Sequence, residues 1–352
     1  MRYTIFGESH GPAIGVVLEG VPAGLEIDAG AVAFELSRRA TGKDALSTAR
    51  KEPDQVEFLS GVFQGRATGA PLCAVIRNID QHSRDYEATR DLARPGHADY
   101  TGWLASKGCG DYRGGGHFSG RLTAPLVAAG AIAKLALARE GITVGAHILS
   151  VGDCRDQNFL ETELTPALLR EIAEKRFPVL LDEAGAEMQK VILAARNELD
   201  SIGGIIQCAV LGMPAGVGGP DFGSNIEGEL ARALFAIPAV KGVEFGAGFA
   251  LSSMRGSQAN DAFYMDGGAV RTRTNRNGGI NGGISNGMPV LFSAAVKPTP
   301  SIARPQETVN FRTGQNAAIE IKGRHDPCIV HRAVPVVEAA AALTIYNLIK
   351  GA

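Results

Sequence analysis

Two stretches of this chain predict long helices with no polar face. Leu122–Arg139 and Val334–Ile349 are built almost wholly of Ala, Leu, Ile and Val. A helix that is apolar all round has to be covered on every side. Neither run is an unbroken apolar span of about 18 residues, so a membrane is not the cover expected. Sheets flanking a helical layer satisfy the requirement. The expected fold is therefore α+β: a single-domain β-α-β sandwich over residues 1–352, with the long Ala-rich helices between sheets. A second subunit could complete the burial.

The order of features repeats. Ala13–Leu18 reads as a strand, closed by the turn Gly20-Val21-Pro22-Ala23-Gly24 and followed by a helix from about Asp28 to Arg39. Downstream, Gly204–Leu211, Gly212-Met213-Pro214-Ala215-Gly216 and Asn225–Phe235 follow the same plan. Val56-Glu57-Phe58 is echoed by Val243-Glu244-Phe245, and Gly69-Ala70-Pro71 by Gly287-Met288-Pro289, each of the latter two opening an apolar run. Each half ends in one of the Ala-rich helices. The reading is an internal pseudo-twofold repeat of about 1–140 and 200–352, joined by a helical segment, 151–200. Three stretches, Ala40–Asp54, Gly256–Gly287 and Pro298–Asn316, read as loops long enough to serve as lids.

The 45 glycines among 352 residues are about 13% of the chain, against a usual 7%. With no G-X-Y period, they predict many tight backbone turns. A net charge of −2 excludes a general nucleic-acid or acidic-membrane surface, so any anion site is local. The five cysteines form no C-x-x-C pair, which predicts a reduced, cytoplasmic protein without disulfides, and no cluster has metal-ligand spacing.

Before the first long helix stands Asp111-Tyr112-Arg113-Gly114-Gly115-Gly116-His117-Phe118-Ser119-Gly120-Arg121. Glycines let backbone approach a ligand, and a helix start behind them presents N–H groups to an anion. Ser119 and Thr123 are available as caps. The Gly-Lys-Ser/Thr ending of a phosphate loop is missing, which counts against a phosphotransferase. Phe6-Gly7-Glu8-Ser9-His10-Gly11 sets a histidine between glycines, and histidine is suited to proton transfer near neutral pH. In Arg94-Pro95-Gly96-His97, the Pro-Gly turn brings cation and imidazole together. Lys297-Pro298-Thr299-Pro300-Ser301 ends a strand with a cation and hydroxyls on a stiff backbone. Taken alone, each also fits a plain turn or strand end.

Together they resemble one family along the whole chain. The glycine-histidine opening, Glu52-Pro53-Asp54, Arg94–Asp99, Asp111–Gly116, Arg255-Gly256-Ser257, Gly278–Ser285 and Gly323-Arg324-His325-Asp326-Pro327-Cys328 are similar to chorismate synthase. The resemblance implies loss of phosphate and a C6 hydrogen from 5-enolpyruvylshikimate 3-phosphate, with reduced FMN (FMNH2) as cofactor. It implies His10 as the acid toward the departing phosphate, His97 beside the flavin and Asp326 as an aid to proton removal. Ser9, Arg39, Arg94, Arg121 and Arg324 would bind substrate, with Arg50 a further candidate. His117, Phe118, Ser119, Ala239, Gly282, Lys297, Pro298, Thr299, Pro300, Ser301 and Arg324 would contact FMN. A homotetramer is the family's usual assembly; either NADPH or an external flavin reductase would reduce the flavin, and no motif selects between them.

Two departures stand out. Many members carry Arg-Ser-Ser-Ala-Arg-Glu-Thr where this chain has His117–Thr123. The Ala40–Thr48 loop lacks an expected arginine near Ala45, for which Lys43 is a substitute in charge only. A non-catalytic flavin- or phosphate-binding protein on the same scaffold is the alternative reading, and the joint presence of His10, His97 and Asp326 argues against it.

Overall fold

The computed structural model describes residues 1–42, 46, 54–79, 87, 89–321 and 326–351. The first part of the chain forms β1 (Arg2–Gly7), β2 (Ala13–Glu19), α1 (Ala29–Arg39), β3 (Val56–Ser60), short β4 (Val62–Phe63) and β5 (Arg66–Ala67), then β6 (Leu72–Arg77), α2 (Asp99–Ala105) and α3 (Thr123–Ala138). Next come β7 (Thr143–Val151), β8 (Cys154–Arg155), α4 (Pro166–Glu174) and α5 (Asp182–Asn197). The remainder supplies β9 (Gly204–Leu211), α6 (Ile226–Phe235), β10 (Val240–Phe245), α7 (Gly256–Ala259), β11 (Phe263–Asp266), β12 (Ala269–Thr272), β13 (Ile280–Asn281), β14 (Ile284–Ser285), β15 (Val290–Val296), β16 (Gln306–Asn310), β17 (Gln315–Ile319) and α8 (Val330–Lys350).

The two main sheets are antiparallel, in the orders β1-β2-β6-β3 and β10-β15-β9-β7-β8. Between them lie α3 and α8, packed on each other, with α3 against β2 and β6 and α8 against β7 and β9. Residues on nearly every side of both helices are buried, as their sequences demand. Both helices meet the length and apolarity of a membrane span, yet 78% and 72% of those windows are inside the fold, so they are core helices. Gly130 is where they come closest: a Cβ there would sit 2.2 Å from that of Ala339. On the far face of the five-stranded sheet, α4 adds a smaller core of Phe159, Leu169, Ile172, Ala209, Leu211 and Leu291.

One charged group lies at the centre. Glu338 of α8, fully buried, accepts from Arg38 of α1 at 2.5 and 2.8 Å, Lys134 of α3 at 2.5 Å and the Ala146 N–H of β7 at 2.9 Å. Burial pushes its pKa up, but the Arg38 and Lys134 charges and hydrogen bonds overcome this and hold it at about 2.

The expected loop Gly256–Gly287 contains α7 and two hairpins, and much of Pro298–Asn316 belongs to the hairpin β16–β17. Gly267-Gly268 and Gly282-Gly283 take positive φ at the two tight turns, letting short strands pair where composition alone reads as irregular. Of Ala40–Asp54, only 40–42, 46 and 54 are among the described residues.

Candidate active site

A cavity of about 500 Å³ opens between the glycine loop, α2, the Arg94–Asp99 turn and the tip of β16–β17. Its walls include Trp103, Tyr112, Phe118 and Phe311, with Arg94, His97, His117 and Ser119 among the polar groups. Trp103 and Phe311 face each other with ring centres 5.2 Å apart. Flat apolar walls with a few cations and imidazoles suit a planar ring system bearing anionic groups.

The glycine loop is shaped around His10. Gly114, Gly115 and Gly116 have φ of 60°, 83° and 53°. A Cβ on Gly114 would lie 2.3 Å from His10 Cδ2, and one on Gly116 2.2 Å from the Asp111 carbonyl oxygen. The Ser9 N–H donates to the Gly116 carbonyl at 3.1 Å, and His117 Nδ1 lies 3.0 Å from the Gly7 carbonyl. These bonds join two segments that the sequence holds more than a hundred residues apart. Arg113, hydrogen-bonded to Asp111, keeps that carboxyl below its ordinary range, with the His10 charge adding to the effect. The Ser119 side chain caps the turn ahead of α3 by accepting from the Arg121 N–H at 3.3 Å. No side-chain cap from Thr123 closes α3: its hydroxyl donates to the Gly120 carbonyl instead.

Beneath the loop, Arg39 and Arg121 meet on one carboxylate. Arg39 Nη1 donates to Asp54 Oδ2 at 2.6 Å, and Arg121 Nη1 donates to Asp54 Oδ1. Arg39 Nε reaches Thr123 Oγ1 at 2.9 Å and Arg121 Nε reaches Asn78 Oδ1 at 3.1 Å. Asn78 in turn donates to the carbonyls of Glu8 and Gly11, fixing the turn that holds His10. Asn78 was not singled out from the sequence, and Asp54 only as part of a motif. An Asp in Glu-Pro-Asp was the one signal for it.

The other side of the cavity is assembled from both ends of the chain. His97 Nε2 lies 2.7 Å from Ser301 Oγ, and Lys297 Nζ donates to the Gly96 carbonyl at 2.6 Å. The Lys297 N–H donates to the Ala239 carbonyl at 3.0 Å, and Ser201 Oγ donates to that of Thr299 at 2.6 Å. Pro300 packs on Gly96, where a Cβ would come within 3.0 Å of its ring. Arg94 grips Asp99 with Nε and Nη2, both at 2.7 Å. Thr299 Oγ1 and Ser9 Oγ are buried without a hydrogen-bond partner among the described residues.

Arg94, His97, His117, Phe118 and Ser119 thus stand on the cavity wall; Ser9, His10, Arg39 and Arg121 lie beside and beneath the loop. Ala239, Lys297, Thr299, Pro300 and Ser301 gather behind His97, with Pro298 in the same strand end. Asp326 is off the wall, paired with Arg332 at 2.5 Å, while Arg332 Nε donates to the Arg39 carbonyl. Gly282 is in the β13–β14 turn and lines no part of the cavity. Arg50, Arg324, Lys43 and Ala45 lie outside the described residues.

The family description of chorismate synthase matches residues 1–349. The chain belongs to the chorismate synthase family. The chorismate synthase of Methanocella arvoryzae is 50% identical over 350 residues, covering 98% of this chain and 91% of that one. That of Methanothermobacter thermautotrophicus is 48% identical, covering 98% and 91%. A crystal structure of chorismate synthase superposes with a TM-score of 0.78 at 28% identity, over 99% of this chain and 91% of that one. The activity is that of chorismate synthase: a lyase acting on 5-enolpyruvylshikimate 3-phosphate in the shikimate pathway. Chorismate synthases use reduced flavin.

Proposed function

We propose that the cavity over the glycine loop is where the phosphorylated substrate meets reduced FMN. The observation that carries this is the junction of His97 with Ser301, set against the loop that packs on His10. Arg94 and His97 stand on the wall of a single aromatic-lined space, with His10 and the Arg39 and Arg121 forks packed beside and beneath its glycine loop. The substrate brings two carboxylates and a phosphate of roughly −1.5 to −2 charge, which planar guanidiniums match. The Lys297–Ser301 strand end, with Ala239, His117, Phe118 and Ser119, would hold FMN; the unpartnered Thr299 Oγ1 and the Lys297 ammonium fit a phosphate-bearing cofactor. Gly282 and Arg324 remain in this proposed set on motif alone. When bound, reduced flavin supplies the electron density that lets an unacidified C–H be lost.

His10 protonates the departing phosphate oxygen. Ser9, Arg39, Arg94 and Arg121 hold the substrate's anionic groups, with Arg50 and Arg324 joining them by motif. His97, hydrogen-bonded to Ser301, holds a proton at the flavin face. Asp326 assists proton removal; its support is the motif, since Arg332 holds it behind the cavity wall. With anaerobic enzyme, reduced FMN and substrate, His10→Ala and Asp326→Ala are expected to lower turnover by about 10²- to 10⁴-fold while flavin still binds. Near-normal phosphate and chorismate release would remove those roles. Arg121→Ala should raise the Michaelis constant sharply, and an unchanged one would exclude it as a ligand.

We also propose one domain built from two similar halves. Supporting it, β1-β2-β6-β3 and β7-β9-β15-β10 run in the same order, with α1 and α6, then α3 and α8, in matching places. A cytoplasmic homotetramer is proposed with it. Light scattering at assay concentration tests the assembly, and bleaching of bound FMN by NADPH alone tests whether an external reductase is needed.

A further inference from the structure

Asp54 is the most completely buried carboxylate near the cavity, its side chain 0% exposed. Its backbone has φ of 46°, a left-handed conformation that few non-glycine residues adopt and that asparagine and aspartate tolerate best. That turn aims both carboxylate oxygens inward, one to Arg39 and one to Arg121. Each arginine is pinned a second time through Nε, to Thr123 or Asn78. A guanidinium held at Nε and at one Nη has its plane fixed, which is what bidentate recognition of a phosphate or carboxylate requires. The group keeps one net positive charge, from two guanidiniums and one carboxylate.

We infer that Asp54 is a positioning residue for the substrate: it sets the two arginine forks at the angle that grips the substrate's anionic groups. This rests on the reading of Arg39 and Arg121 as substrate ligands. Two opposite outcomes are physically available when Asp54 loses its charge. If only net charge mattered, an anion would bind more tightly beside two unneutralised cations. If orientation matters more, the buried forks turn away from each other and affinity falls. Geometry favours the second, because Asp54 sets one carboxylate oxygen against each arginine and so ties their two planes together.

The test is Asp54→Asn in the full chain, with binding of 5-enolpyruvylshikimate 3-phosphate followed by calorimetry and turnover assayed anaerobically with reduced FMN. Dissociation constant and Michaelis constant are expected to rise together by about 10- to 100-fold, the cost of a misplaced binding group, with kcat nearly kept. Unchanged or tighter binding overturns the inference, as does an equal loss in kcat alone. Should Asp54→Asn fail to fold, Asp54→Asn with Arg121→Met restores the original net charge; it is expected to bind more weakly than Arg121→Met alone. Tighter or equal binding there overturns the inference as well. Arg39→Ala and Arg121→Ala separate the two levels. If neither weakens binding, the ligand reading itself falls; if both do and Asp54→Asn does not, only the role of Asp54 falls.

Discussion

Gly114 decides where the His10 ring can be. With φ of 60° and a would-be Cβ only 2.5 Å from His10 Nε2, it leaves space that no other residue leaves. Gly114→Ala is expected to displace the imidazole and cut turnover by about tenfold or more, since small misplacements of reacting groups are costly. The left-handed backbone itself costs about 1–2 kcal/mol, so a melting curve should shift by no more than that and leave the variant folded at assay temperature. Loss of the folded state under assay conditions would mean the loop merely fails to fold. At this scale the histidines were legible because glycine and proline fix short loops around them. Asp54, Asn78 and the pairing of His97 with Ser301 were not legible: each joins segments that become neighbours only once sheets and helices have packed, and nothing local in sequence records that.

Among the elements, the last turn of α1 does two jobs with adjacent arginines. Arg38 reaches back to Glu338 in the core while Arg39 reaches forward to Asp54. The buried charge therefore anchors the helix end that presents a substrate ligand. Glu338→Gln should lower stability by about 3 kcal/mol in urea titrations, at the low end for a broken buried pair because Glu35 still faces both cations. The pH dependence has a definite sign. With its folded pKa at about 2 and an ordinary value of 4.5, Glu338 contributes stability that is full above about 4.5 and lost as pH falls toward 2. The glutamine variant should lose that part of the acid dependence; an unchanged slope would count against the network. Gly130→Ala probes the same layer, since a methyl group there overlaps Ala339, and about 1–3 kcal/mol of overpacking is expected in the same titration. Helix ends were legible from apolar composition, but α8 begins earlier than expected, at Val330, because Val330 and His331 are buried with it.

For the molecule as a whole, the layer order followed from the two helices without polar faces. The hairpins within 256–287 and 298–316 did not, since their stability comes from turn glycines and pairing rather than from an apolar stripe. Each sheet's apolar face is covered chiefly by its own half's helix, α3 on β2 and β6 and α8 on β7 and β9, and the two helices then close on each other. Such long-range closure is slow compared with local folding. During synthesis, the outer face of α3 and the inner face of β7 and β9 must wait uncovered until α8 leaves the ribosome. Stalled nascent chains lacking α8 should accordingly be cut by protease in the five-stranded sheet and recruit holding chaperones, whereas release of one more helix makes the particle resistant.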